Sequence, residues 1–305
     1  MLTRKDIPNL LTAGLRREFM KGGEGYPSFF PEFTMSINST TDQETYGWLG
    51  NTPAAREWID ERHAKGLAES SYTLVNADYE ATIAVDRNAL DDDRYGQVKI
   101  RVNQLGLEAK RYYDVLATAT IETGNATNCY DGQFFFDTDH VEDENVTSQS
   151  NSPAAAAGFV FAAAGIKTVV SAMKKFTDGK NKLAGIMPTH VMVPTDLEFT
   201  ARQLLDPAAV SVTTSPAEAV LKGYLKIIVN PYLTNGGVNS VWYMMDLSKS
   251  TKPFIFQNRK APMFTALDNP DSTELFMRKK IYYGIDFRCA FGYGDWRQAF
   301  RAEGA

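Results

Sequence analysis

The residues best equipped for chemistry crowd into one stretch, Cys129-Tyr130-Asp131-Gly132-Gln133-Phe134-Phe135-Phe136-Asp137-Thr138-Asp139-His140. Asp137, Asp139 and His140 offer two carboxylates and an imidazole at close spacing, the donor types of a hydrolytic metal site. The same residues also have a structural reading: Asp131-Gly132 is a turn, Gln133 to Phe136 a buried strand, and Asp137-Thr138-Asp139 its exit. Alternate residues of a strand share a face, so Asp137 and Asp139 point one way and His140 the other. The remaining histidines, His63 and His190, stand in no frame such as H-E-x-x-H. Neither a metal nor a cofactor is therefore expected. Cys129 with His140 or His190 would supply a nucleophile and a base, but nothing in the sequence brings them together. Asp91-Asp92-Asp93 could hold a divalent cation, yet capping of the helix that follows explains the run without one. No phosphate-cradling glycine loop and no G-x-S-x-G elbow occurs. The chain is expected not to be an enzyme.

The elements around this stretch are long. Val98, Val102, Leu105, Ala109, Tyr112, Leu116 and Ala119 advance by fours and threes, which predicts one helix from the aspartates to a stop at Gly124. At 1.5 Å per residue it would be about 45 Å long. Leu275, Met277, Ile281, Tyr283, Ile285, Phe287, Cys289 and Phe291 share odd parity, with Arg278, Lys280, Asp286 and Arg288 on even positions and Lys279 as the exception. This predicts a ribbon of roughly 55 Å from 275 to 292, about three times an ordinary strand. Tyr72 and Leu74 alternate on one parity and Tyr79, Ala81, Ile83 and Val85 on the other, so a bulge or kink is expected at Asn76-Ala77-Asp78. Ser152-Pro153 should open a second helix through Phe159, Ala162, Ile166, Val169, Met173 and Phe176. Thr195-Asp196-Leu197-Glu198 and Ser215-Pro216-Ala217-Glu218 read as capping boxes, with strands at 187–193, 225–229 and 241–245. Residues 1–46 read as an irregular arm with one short helix, in which Phe29, Phe30 and Phe33 dock on this subunit's own core or on a neighbour.

Composition narrows the class. Among 305 residues, 44% are hydrophobic and 23% charged, ordinary globular values, and no apolar run is long enough to span a bilayer. No secretory signal is visible, which points to synthesis in a cytoplasm. Two cysteines are too few for a disulfide framework. A net charge of −5 argues against a protein whose main task is gripping nucleic acid.

Several pieces in order carry a family resemblance: Gly47-Trp48-Leu49-Gly50, Asn76-Ala77-Asp78-Tyr79-Glu80-Ala81-Thr82-Ile83, Leu90-Asp91-Asp92-Asp93 with Gly96, and the stretch from Cys129 to His140. The chain resembles the Mu-like bacteriophage major head subunits, whose capsids are built on the Hong Kong 97 fold. Relatives often follow the histidine with proline, where Val141 stands here. The resemblance implies an α+β subunit with an N-terminal arm at 1–46, an extended loop and its strands at 47–88, a peripheral domain of spine helix and long ribbon at 89–152 and 251–305, and an axial domain at 153–250. It implies a major capsid protein of a tailed phage or prophage, assembling with itself as pentamers and hexamers into an icosahedral shell around double-stranded DNA. Separate scaffold, protease and portal proteins, non-specific contact with packaged DNA, no membrane, and assembly in the host cytoplasm before residence in the virion are its corollaries. Residues 48–71 are too long and charged for a connection within one domain, yet they carry costly apolar side chains. Trp48, Arg56, Trp58, Ile59, Arg62 and Leu67 are the expected intersubunit contacts of the extended loop. Two alternatives stand beside this reading: an encapsulin-like nanocompartment of the same fold, and a metal-dependent hydrolase around Asp137, Asp139 and His140.

Overall fold

The computed structural model describes residues 6–47, 72–88, 95–141, 147–153, 159–178, 181–206, 220–238, 240–269 and 272–304. The chain begins with helix α1 (Asp6–Glu24) and a single helical turn, α2 (Phe30–Phe33), followed by strands β1 (Thr34–Asn38) and β2 (Gln43–Tyr46). Strands β3 (Tyr72–Val75) and β4 (Ala77–Asp86) lead to the spine helix α3 (Tyr95–Glu122), 28 residues long. Next come helix α4 (Ala163–Lys174), strand β5 (His190–Val193), helix α5 (Glu198–Leu205), and strands β6 (Lys226–Val229) and β7 (Val241–Met245). The C-terminal part comprises β8 (Phe254–Leu267), the short helix α6 (Thr273–Arg278), β9 (Lys280–Tyr293) and β10 (Ala299–Glu303).

Two four-stranded sheets organise these elements. The first has the order β1-β8-β9-β4, with β1 parallel to β8 and the other pairs antiparallel. Its central strands are 14 residues each, so the expected long ribbon is present. It starts later than the parity suggests. Leu275 and Met277 lie in α6, capped by the Ser272 side chain at one end and by Lys279 at φ 52° at the other. Lys279 breaks the odd-parity series because it is the left-handed hinge between helix and strand. From Lys280 to Cys289 the alternation holds, with Ile281, Tyr283, Ile285, Phe287 and Cys289 buried. The second sheet has the order β10-β7-β5-β6, and β7 is buried at all five positions. Its edge strand β10 brings Ala299–Glu303 back from the ribbon to pair with β7.

The spine's buried stripe agrees with expectation through Val98, Val102, Leu105 and Ala109, then continues as Tyr113, Ala117 and Ile121. Tyr112 and Leu116 are only partly buried and Ala119 is exposed. Steps of four drift across the helix surface, and the second half of the spine meets additional elements that the first half does not. Gly124 is no left-handed stop: a Cβ there would lie 2.7 Å from the Phe136 ring, so the glycine admits that ring.

Residues 6–46 hold more regular structure than an arm with one short helix. Helix α1 has 19 residues and crosses α3 so closely that a Cβ on Gly22 would meet the Asn103 carbonyl, and one on Gly106 the Phe19 carbonyl. Phe30 and Phe33 are buried in this subunit's own core, where Phe30 packs on Tyr113 and Phe256. Strand β1 belongs to the ribbon sheet itself.

Three other local expectations are corrected. Ser152 and Pro153 are not helical, and α4 opens at Ala163, although Ile166, Val169, Met173 and Phe176 are buried as expected. Thr195 makes no capping hydrogen bond; a 3-10 turn precedes α5, and Glu198 pairs with Arg202 instead. The expected strand at 133–136 is irregular. Asp91 to Asp93 and Ser215 to Glu218 lie outside the described residues.

Candidate functional site

Asp131-Gly132 does form the expected turn, with Gly132 at φ 86° and the Cys129 amide donating to the Gln133 carbonyl at 2.8 Å. The aromatic run after it is a wedge between the two sheets. Phe135 packs on Phe254 and Tyr293 of the ribbon sheet, while Phe136 packs on Tyr243 of the second. Phe134 remains exposed.

His140 turns away from Asp137 and Asp139. It is fully buried, with Nδ1 hydrogen-bonded to Asp131 Oδ2 at 2.7 Å and its ring stacked on Trp296 at 4.1 Å. Asp137 accepts from the Phe134 and Thr138 amides, and Asp139 is exposed. Asp137 and Asp139 lie against one another, but His140 is committed to Asp131 instead, so the hydrolytic set of Asp137, Asp139 and His140 is not favoured. A different trio converges: ligand atoms of Cys129, Asp131 and His140 lie within 4.8 Å of one another. Both Asp131 oxygens are already engaged, Oδ1 by the Cys129 thiol and the Gln133 amide and Oδ2 by His140. Burial opposes ionisation of Asp131, but the hydrogen bonds from His140, Cys129 and Gln133 together hold it below the usual carboxylate range. Burial pushes the Cys129 thiol well up, with Asp131 adding to the effect, so it is neither a ready ligand nor a nucleophile. His190 lies on β5, apart from this trio.

Asn151 fixes the wedge in place. Its Nδ2 donates to the carbonyls of Phe135, Trp296 and Ala299, and its Oδ1 accepts from the Asp137 amide at 2.9 Å. This joins the loop to the C-terminal strand, and no sequence pattern announced it.

A second buried polar cluster sits where β2 and β3 pair as the base of a hairpin. The Tyr46 hydroxyl donates to Gln257 Oε1 at 2.6 Å, and Gln257 Nε2 donates to Asn76 Oδ1 at 2.8 Å. Asn76 Nδ2 in turn reaches Ser39 Oγ and the Thr41 carbonyl, both at 3.0 Å. Burial, with Glu44 nearby, pushes Tyr46 up to about 12, which keeps it a donor. Asn76 is also where the chain passes from the hairpin into the ribbon sheet, so the change of phase is absorbed by a break between two sheets and not by a bulge within one. Gln257→Leu should strip partners from Tyr46 and Asn76 and cost about 2–4 kcal/mol in urea denaturation. An unchanged midpoint would show that the network does not hold the hairpin.

The profile of the Mu-like prophage major head subunit gpT family matches residues 9–162, 154–233 and 234–305. The chain belongs to this family. It is 27% identical over 299 residues to the Mu-like prophage FluMu major head subunit of Haemophilus influenzae, covering 98% of this chain and 74% of that one. It is 25% identical to the major capsid protein of Escherichia phage Mu, covering 100% and 75%. Among solved structures, the procapsid of bacteriophage JBD30 matches with a TM-score of 0.62 and 27% identity, over 100% of this chain and 77% of that one. A virus-like particle from Pyrococcus furiosus has a TM-score of 0.53 at 10% identity, a likeness of fold. The subunit is a major capsid protein with the Hong Kong 97 fold, a structural component of the phage head. The nanocompartment and hydrolase alternatives are not favoured. The contacts expected of the loop, Trp48, Arg56, Trp58, Ile59, Arg62 and Leu67, lie outside the described residues. Among the described residues, no helix is long and apolar enough to cross a membrane.

Proposed function

We propose that this subunit assembles as pentamers and hexamers of an icosahedral head around double-stranded DNA, in the host cytoplasm, with separate scaffold, protease and portal proteins. Contact with packaged DNA is non-specific in this reading, in keeping with the net charge of −5. The ribbon sheet with its spine acts as the peripheral domain, the second sheet as the axial domain, and residues 47–71 as a loop reaching over a neighbouring subunit. The observation that carries the reading is the hairpin root: a buried neutral network ties both ends of that loop to the central strand β8. A load placed on the loop by a neighbour is thereby passed to the longest elements of the fold. Electron microscopy of the purified full-length protein is the test. Closed shells with facets built from five- and six-membered rings are expected, and a protein that remains monomeric under all assembly conditions would refute it.

A further inference from the structure

The spine carries one buried carboxylate without a charge partner. Asp114 is fully buried, and its Oδ1 accepts from Ser28 Oγ at 2.9 Å, the Phe29 amide at 3.3 Å and the Phe30 amide at 2.9 Å. These three donors belong to the elbow that joins α1 to α2. Oδ2 is buried with no hydrogen bond of good geometry, and the Tyr26 hydroxyl is beside the carboxyl. Tyr26 meets the Tyr232 hydroxyl at 3.0 Å, which brings in the turn after β6. That same turn grips the spine twice more, through Asn230 to Thr118 at 2.9 Å and through Glu122, which accepts from the Thr234 and Asn235 amides. Elbow, spine and second-sheet turn therefore converge around Asp114.

Every charged group near this joint is committed elsewhere or carries the wrong sign. Arg111, three residues earlier on the spine, forms a two-pronged pair with Glu108 at 2.7 Å and interacts with Tyr232. Glu122 is a second carboxylate and bonds to backbone amides. Tyr26 and Tyr232 are phenols, and Tyr26 is pushed above its ordinary value, first by burial and then by Tyr232 and Asp114. Among the described residues no lysine, arginine or histidine pairs with Asp114.

We propose that Asp114 is a proton-binding joint: its carboxyl takes up a proton from solvent when the elbow and the second-sheet turn close on the spine. The protonated form places a donor on Oδ2, facing the Tyr26 oxygen, while Oδ1 keeps its three donors. Burial raises the Asp114 carboxyl above the usual range despite the opposing hydrogen bonds from Phe30, Ser28, Tyr26 and Phe29. The folded chain then binds this proton more tightly than the unfolded chain, so the joint tightens as pH falls through the folded-state value and loosens above it. Asp114→Asn mimics the protonated group, with an amide donor at the Oδ2 position.

The test compares thermal melting and chymotrypsin cleavage between Phe29 and Phe30 for the protein and its Asp114→Asn variant, from mildly acidic to alkaline pH. At the alkaline end the variant should melt no lower than the parent and be cut several-fold more slowly at the elbow. The differences should shrink as pH falls. Asp114→Ala, which removes the acceptor of all three elbow donors, should be less stable at every pH. A variant with asparagine that is less stable or unfolded at the alkaline end, or a gap that does not change with pH, would overturn the proposal.

Discussion

Phe287→Ala is expected to cost about 3–5 kcal/mol and to yield aggregated or unfolded subunits, as fully buried aromatic truncations do. Phe287 points from β9 into the space between ribbon and spine. It stacks on Tyr79 at 5.3 Å and meets Tyr113 edge-on at 5.2 Å and Tyr112 at 6.3 Å. Truncation would leave three aromatic rings around a void that a helix and a sheet cannot close without losing register. Arg288, the next residue, faces the other side, and its guanidinium lies 3.3 Å from the exposed Asp78 carboxylate. Arg288→Ala should therefore change stability by no more than about 1 kcal/mol. Urea denaturation of the two variants decides the matter, and equal tolerance of both would mean that the sides of β9 are misassigned.

Replacing residues 52–69 with a short Gly-Ser linker should leave a folded subunit with a cooperative thermal transition but abolish closed shells. The fold survives in this expectation because the root of the hairpin is held from within the subunit, by Tyr46, Gln257 and Asn76. Assembly fails because Trp58, Ile59 and Leu67, with Arg56 and Arg62 around them, have the composition of an interface with an apolar centre and a polar rim. Normal particles from the shortened chain would remove the loop from the account of assembly.

Period-two and period-four signals were legible wherever one face of an element met one packed layer. The odd-parity series along β9 and the first half of the spine both read correctly for that reason. They failed where the buried face turned or the element changed type: the spine stripe shifted toward Tyr113 and Ala117, and Leu275 and Met277 were absorbed into a helix capped by Ser272. The stretch from Cys129 to His140 announced its turn, but its aromatic run follows no period because it fills the gap between two sheets. His140 found its partner nine residues back at Asp131, a pairing that strand alternation could not suggest. Asn151, Gln257 and Asp114 gave no usable signal, since a lone polar residue in an apolar context reads the same whether it is a flaw or a fastener.

The parallel pairing of β1 with β8 joins residues 34–38 to 254–258 across most of the chain's length. The two strands at the centre of the ribbon sheet are synthesised after both edge strands, so β1 and β4 emerge from the ribosome without the neighbours they need. Closing so distant a pair slows folding, because the entropy of the intervening chain must be overcome before β1 joins β8 and β4 joins β9. A nascent chain therefore cannot present a finished plate to other subunits until β9 has been made. The order of strands delays completion of the ribbon sheet until its last central strand has been synthesised.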